Sequence, residues 1–195
     1  GDTKAALEAG IAMVSEDRKG VGLLLDRSIE DNIVFNAMQI HGEYLHKFGP
    51  VSLKNTGAIR EEALKMIKDL DIRCTGPLQA SGTLSGGNQQ KVCIARALCL
   101  SPKFLFVSEP TRGIDIGAKK LVLETLVELN RKQGMTVVIV SSELQELRSI
   151  SDRIAIVSEG KLVDILSPDA SDADFGLAMS GIKPSEHSEE GGKES

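Results

Sequence analysis

Two kinds of hydrophobic spacing divide the chain. In the first half, "DTKAALEAG" has the spacing of a short helix closed by Gly10, and the apolar run "IAMVS" suits a buried strand. A charged turn, "EDRKG" (Glu16 to Gly20), separates it from "DRSIEDNIVFNAM", where Ser28, three residues before Asp31, resembles a capping box opening a helix. A second helical stretch, "AIREEALKMIKDLDI", places Ile59, Ala63, Met66, Ile67 and Leu70 on one face. Between these helices "HGEYLHKFGPVSLKN" reads as irregular, with Gly42, Gly49 and Pro50 as breakers. Residues 28–98 therefore read as a helical insertion ending in the amphipathic stretch "LSGGNQQKVCIARAL".

From residue 99 the pattern changes. "PKFLFVSEP" supplies a strand over Lys103 to Val107, "GAKKLVLETLVELNRKQG" a helix ending at Gly134, "MTVVIVSS" a strand and "ELQELRSI" a helix. "DRIAIVSEGKLVDIL" reads as a hairpin turning at Glu159 and Gly160. Continuous β-branched runs alternating with amphipathic helices predict an α/β fold, its parallel sheet covered on both faces. The polar "PSEHSEEGGKES" reads as a frayed tail.

Composition narrows the classes. With 195 residues, 41% apolar composition and a formal charge of −5, the chain can bury a core, and the acidic balance with 3% aromatics argues against a nucleic-acid partner. Cys74, Cys93 and Cys99 have no zinc or redox spacing and read as small buried hydrophobes in a reduced, cytoplasmic protein. His41 and His46 have no companion ligands for a metal. No run approaches the ~18 apolar residues of a membrane span.

The chemistry concentrates in loops at strand ends and helix starts. "LSGGN" (Leu84 to Asn88) runs directly into a helix, where glycines permit close approach and unpaired N–H groups favour an anion, phosphate first. In parallel sheets ligands gather at the carboxyl ends of strands, which brings forward Glu16, Ser108, Glu109, Ser141, Ser142 and Glu143. Glu109, after the apolar run Phe104 to Val107 and before Pro110, is placed to polarise a water; the plain structural reading is a solvated loop carboxylate.

The order of these pieces resembles the nucleotide-binding domain of ATP-binding-cassette (ABC) transporters. "LSGGNQQ" resembles the signature loop, and "FLFVSEPTRGID" (Phe104 to Asp115) resembles a Walker B strand followed by the D-loop. "EDRKGVGL", "PTRGIDIGAK", "VSSEL" and "SDRIAIVSEGK" extend the resemblance to the second ATPase half of bacterial sugar importers of the ribose, galactose and xylose type. The implied fold is a partial P-loop NTPase core with its parallel sheet flanked by helices, plus an α-helical signature subdomain. It divides as core with Q-loop region over 1–27, helical subdomain over 28–98, core with Walker B, D-loop and switch region over 99–182, and a disordered tail over 183–195.

The same resemblance implies roles. Ser85, Gly86 and Gly87, with Gln89 supporting the loop, would complete the ATP site of an opposite half in trans. Glu109 would orient the attacking water and Asp115 would make the D-loop contact across the dimer, while Glu16 stands at the Q-loop position. Implied ligands are ATP and Mg²⁺. Implied partners are the other ATPase half, transmembrane permease subunits and, indirectly, a periplasmic or lipoprotein solute-binding protein, on the cytoplasmic face of the bacterial inner membrane.

Three departures qualify the resemblance. No GxxxxGK[ST] loop is present: Gly82 to Gly87 has the glycine spacing, but Asn88 and Gln89 stand where Lys and Ser or Thr are required. Family order puts that loop upstream of Gly1, so this chain is expected to be the C-terminal portion of a longer polypeptide and inactive alone. Ser108 replaces the Walker B Asp and would be a weak Mg²⁺ partner. Ser142 stands at the switch position, where a histidine would contact the γ-phosphate. Alternative readings are an importer of nucleosides or another small solute, and a non-transport ABC ATPase. Lys91, Arg96, Arg112 and Arg153 read as packing or ion-pair residues, with Lys91 able to add positive potential near the loop.

Overall fold

The computed structural model describes residues 2–183, so most of the tail expected over 183–195 lies outside the described residues. By packing, the chain divides into a unit ending at Val140 and a second beginning at Ser141.

In the first unit Asp2 caps helix α1 (Thr3–Glu8), accepting from Lys4 N and Ala5 N, and strand β1 (Ile11–Val14) follows. The "EDRKG" stretch winds into a π-type turn over Arg18–Gly22 instead of a simple charged turn. Asp17 holds its start by accepting from Gly20 N at 2.8 Å. Helix α2 (Ile29–His41) is capped by Ser28, which accepts from Asp31 N at 3.1 Å. Only that half of the expected capping box forms, since the Asp31 carboxylate turns to Lys54 Nζ at 2.5 Å.

The stretch expected to be irregular is a hairpin. Strands β2 (Leu45–Phe48) and β3 (Val51–Lys54) pair antiparallel, with Phe48 opposite Val51 across a Gly49–Pro50 turn. Gly49 takes φ +59°, which glycine adopts without steric cost, so the two breakers mark a turn between strands. Phe48, Val51 and Leu53 stay exposed, which is why the segment carries no alternating burial pattern to reveal it.

Helix α3 (Thr56–Asp69) buries Ile59, Ala63 and Met66, and Leu70 just after it, as its spacing predicts. A 3₁₀ turn (Ser81–Thr83) leads into α4 (Gly86–Leu98), followed by β4 (Phe104–Ser108), α5 (Ile116–Gln133) and β5 (Thr136–Val140). Strands β1, β4 and β5 form a parallel sheet in the order β1-β4-β5. Val14, Leu105 and Val107 point into a single core shared with α2, α3, α4 and α5, and the expected divisions at 27/28 and 98/99 both fall inside that core. The alternate residues Met13, Phe104, Phe106 and Val140 are exposed, on the face of the sheet turned away from this core.

Asn32, fully buried, ties the start of α2 to its surroundings. It accepts from Leu24 N at 2.8 Å and donates to Leu24 O, Ser28 O and Ser81 Oγ at 2.9, 3.0 and 3.0 Å. Its donors and acceptor are therefore satisfied inside the core, as a buried amide requires.

The three cysteines are free, with Cys93 and Cys99 buried and Cys74 half-buried. Burial pushes the Cys93 thiol up to about 12. Because the thiolate is the nucleophile, iodoacetamide at pH 8 is expected to label Cys74 in the native protein and Cys93 and Cys99 only after denaturant is added. Equal native labelling of all three, read by mass spectrometry, would contradict this burial.

The second unit contains α6 (Leu144–Ile150), the hairpin β6 (Ile154–Ser158) and β7 (Lys161–Leu166), and α7 (Asp172–Met179). The hairpin turns at Glu159 and Gly160 as expected. Helix α7 opens on a complete Ser171/Asp174 capping box, carried by the local signal "SDAD". Arg148 stacks over Phe175 at 4.9 Å and donates to Pro168 O and Ala170 O, pinning the β7–α7 connection.

Candidate functional site

The loop "LSGGN" does open a helix, and its cap is unusual. Ser85 has the extended backbone of an N-cap (φ −61°, ψ 156°), yet its hydroxyl makes no bond to the helix's own N–H groups. It accepts instead from Asn88 Nδ2 at 3.0 Å, while Asn88 Oδ1 accepts from Arg73 N at 2.9 Å. The first intrahelical donor to the cap is Gln89 N, bonded to Ser85 O at 2.9 Å. A helix start left without a side-chain cap presents N–H groups and the positive end of the dipole to an anion. Ser85 is exposed, Gly86 half-buried and Gly87 buried.

Gln89 faces the other way. It is 5% exposed, and its amide donates to Ser81 O at 3.3 Å and Leu84 O at 3.2 Å. Gln89 thus holds the turn from below, in the position of a residue that supports the loop. Lys91 is also buried, donating to Asp71 O at 3.0 Å with Asp71 Oδ2 at 3.9 Å. Desolvation holds its ammonium below the ordinary lysine range, opposed by Asp71. Arg96 is likewise a packing residue: it donates to Gly22 O at 2.8 Å and Asn36 Oδ1 at 3.0 Å and lies 4.8 Å over the Phe35 ring.

The loop between β4 and α5 packs directly on this helix start. A Cβ on Gly86 would lie 2.9 Å from Ile114 Cγ2, and one on Gly87 2.6 Å from Ala118 Cβ, so two glycines set the distance between the two segments. Asp115 caps α5 through Ala118 N at 2.9 Å and is exposed. Ser85, Gly87, Asn88, Lys91, Arg73, Asp115 and Ala118 share a cleft of about 330 Å³. The signature stretch and the stretch carrying Asp115 are therefore brought together. A larger groove, about 860 Å³, lies near the opposite end of β4, at Phe104, away from these loops.

Glu16 joins the same cluster through an ion pair with Arg112 at 3.1 Å. The sequence reading of Arg112 as a packing or ion-pair residue fits this contact. Both side chains are about half exposed or more, so the pair contributes at most about 1 kcal/mol and matters for position.

Ser108 ends β4 and pairs in register with Val140, while Glu109 N donates to Val140 O at 2.8 Å. Glu109 takes φ +45°, a left-handed conformation that costs a non-glycine residue about 1–3 kcal/mol. Strain of this kind at a strand end is characteristic of functional sites. Ser142 lies in the second unit, in the turn before α6, where Glu143 N donates to Ser141 Oγ at 3.0 Å.

Arg18 is the member of this cluster that the sequence did not single out. It donates through Nη1 to Gly86 O at 3.3 Å and through Nη2 to Gly113 O at 3.4 Å. No local signal points to it, because both partners are far away in the chain.

The sequence family described as ABC transporter matches residues 2–112. The ribose import ATP-binding protein RbsA of Halalkalibacterium halodurans is 43% identical over 164 residues, covering 84% of this chain and 31% of that protein. The xylose import ATP-binding protein XylG of Escherichia coli is 42% identical over 158 residues, covering 80% of this chain and 29% of that protein. The chain thus spans less than a third of the length of these curated relatives. A solved structure described as the dimeric post-hydrolysis state of an ATP-binding cassette bound to ADP and Pi superposes with a TM-score of 0.67 at 23% identity, covering 87% of this chain and 67% of that one. At that identity the likeness concerns the fold.

Proposed function

This chain belongs to the ABC transporter family, and from that premise we propose that it forms the signature-bearing portion of the second ATPase half of a sugar importer. The observation that carries the reading is the helix start at Ser85–Gly87: open to solvent at Ser85, without a side-chain cap, and packed against the loop bearing Asp115. Such a surface, with backbone N–H groups at a helix start, is suited to receive a phosphate. The similarity to proteins named for ribose and xylose import supports a sugar as the cargo.

In this mechanism ATP held by the opposite half is closed upon Ser85, Gly86 and Gly87, whose hydroxyl and N–H groups meet a phosphate. Asp115 contacts the opposite half beside it. Glu16, at the Q-loop position, is tied to Arg112 in the D-loop, which links the nucleotide-facing surface to the side that meets the permease. Closure and reopening then move the permease, as ligand-driven domain closure does elsewhere.

The site built on this half's own motifs is impaired. Glu109 stands where it orients a water, but the donor set fits Mg²⁺ poorly: Ser108 supplies one neutral hydroxyl where a hard dication favours carboxylate oxygen. Among the described residues no group of three or more His, Cys, Asp or Glu side chains is arranged to hold a metal. Ser142, at the switch position, offers a hydroxyl instead of an imidazole. No step is therefore assigned to a metal on this chain, and its main contribution is to the other half's site.

Among the described residues no helix is long and apolar enough to cross a membrane. The proposed location is peripheral, at the cytoplasmic face of the inner membrane beneath the permease subunits, with the solute-binding protein engaged through them. Titration of the 195-residue chain with ATP and Mg²⁺ in a calorimeter is expected to show no tight binding. A micromolar Kd would overturn the in-trans reading.

A further inference from the structure

We propose that Arg18 is a positioning residue that fixes the signature turn and the D-loop as one surface. The inference rests on the in-trans reading above and deepens it by naming what holds that surface in register. Its guanidinium spans two backbone carbonyls, Gly86 O at 3.3 Å and Gly113 O at 3.4 Å, which lie 68 and 95 residues away in the chain. Gly86 opens the signature helix, and Gly113, at φ +66°, precedes Asp115 by two residues.

The planar guanidinium suits this task because its donors diverge at fixed angles, whereas an ammonium is a point donor on a flexible stem. Both carbonyls belong to glycines: Gly113 is suited to its left-handed φ, and Gly86 leaves room for Ile114. A Cβ on Gly113 would lie 3.4 Å from Arg18 Nη2, and one on Gly86 would collide with Ile114 Cγ2 at 2.9 Å.

Arg18 is itself held in place from three directions. Leu23 N donates to Arg18 O at 2.8 Å, and Asp17 accepts from Gly20 N at 2.8 Å, closing the π-type turn around it. Arg96 of α4 donates to Gly22 O at 2.8 Å, fastening the end of that turn to the signature helix. A Cβ on Gly22 would meet Cys93 Sγ at 3.2 Å, so the turn lies flat on α4. The Glu16–Arg112 pair at 3.1 Å adds a parallel strut from the same segment to the D-loop.

Both Arg18 bonds are at the long end of the hydrogen-bond range, so they contribute to register more than to stability. Losing them leaves the two loops packed but free to shift, and small misplacements of positioning groups have large kinetic effects.

The test uses the transport complex that contains this chain, with ATP hydrolysis followed over a range of ATP concentrations. Arg18→Gln and Arg18→Lys are each expected to lower maximal hydrolysis about tenfold and to raise the half-saturating ATP concentration. Melting temperature should stay within a few degrees of the parent, and exposed Lys19→Gln should behave as the parent. Full activity in Arg18→Lys would overturn the inference, since charge alone would then suffice. Activity lost only in proportion to lowered melting temperature would overturn it too, as a merely structural role predicts that result. Where Arg18→Gln does not accumulate, Arg18→Lys, which keeps the charge and most of the stem, carries the test. Ser85→Tyr in the same assay separates the two levels. If it abolishes hydrolysis while the Arg18 variants match the parent, this inference alone fails; if it leaves hydrolysis intact, the in-trans reading fails and the Arg18 role falls with it.

Discussion

Gly87→Ala lowers the melting temperature by about 3–10 °C and reduces ATP hydrolysis by the transport complex at least about tenfold. The added methyl would sit 2.6 Å from Ala118 Cβ, well inside ordinary van der Waals contact. Two opposing effects must be weighed. Alanine is intrinsically the better helix former by about 1 kcal/mol, but that gain shrinks in the first turn, where Gly87 lies. Overpacking costs about 1–3 kcal/mol, and here the neighbour is a Cβ on another helix, not the end of a flexible chain. The clash therefore wins, pushing α5 and Asp115 away from the signature turn. Because the obstacle is a single methyl, the double variant Gly87→Ala with Ala118→Gly should recover most of the stability. Differential scanning calorimetry of the single and double variants checks the account; a single variant as stable as the parent would refute it.

Ser85→Tyr reduces ATP hydrolysis by the complex at least about a hundredfold, the scale expected when donors to a transferring phosphate are lost or blocked. The exposed Ser85 hydroxyl accepts from the Asn88 side chain and makes no bond to the backbone N–H groups of its helix, and a phenol ring there would occupy the approach to the N–H groups of Gly86 and Gly87. Glu109→Gln in the same complex is expected to cost less than about threefold, although removal of a working general base typically costs about 10²–10⁴. The difference follows from Ser108 and Ser142, whose hydroxyls replace the carboxylate and imidazole an efficient site uses. Steady-state hydrolysis of the two variants side by side measures the asymmetry, and equal losses would show that this half's own site also turns over.

Much of this was legible along the chain. The Ile59, Ala63, Met66 and Leu70 spacing located the buried face of α3, and Gly134 marked the end of α5, where it takes φ +68°. The apolar runs before Ser108 and Val140 located two strands of the sheet. The site loops could be read for a similar reason: "LSGGN" announces a glycine-rich helix start whatever lies around it. The Gly49–Pro50 hairpin escaped because its apolar residues remain exposed.

The sequence by itself determined helices α1 to α6, strands β1 and β4 to β7, their order and the chemistry offered at strand ends and helix starts, because helix periodicity, strand alternation and turn residues act over a few positions. It also determined that no phosphate-loop lysine is present. Only the tertiary structure decided that Lys91 is buried, that Met13, Phe104, Phe106 and Val140 are exposed, and that Arg18 reaches Gly86 and Gly113. Those outcomes depend on how α4, the π-type turn and the D-loop pack around one core, and contacts across 68 and 95 residues leave no trace in local spacing.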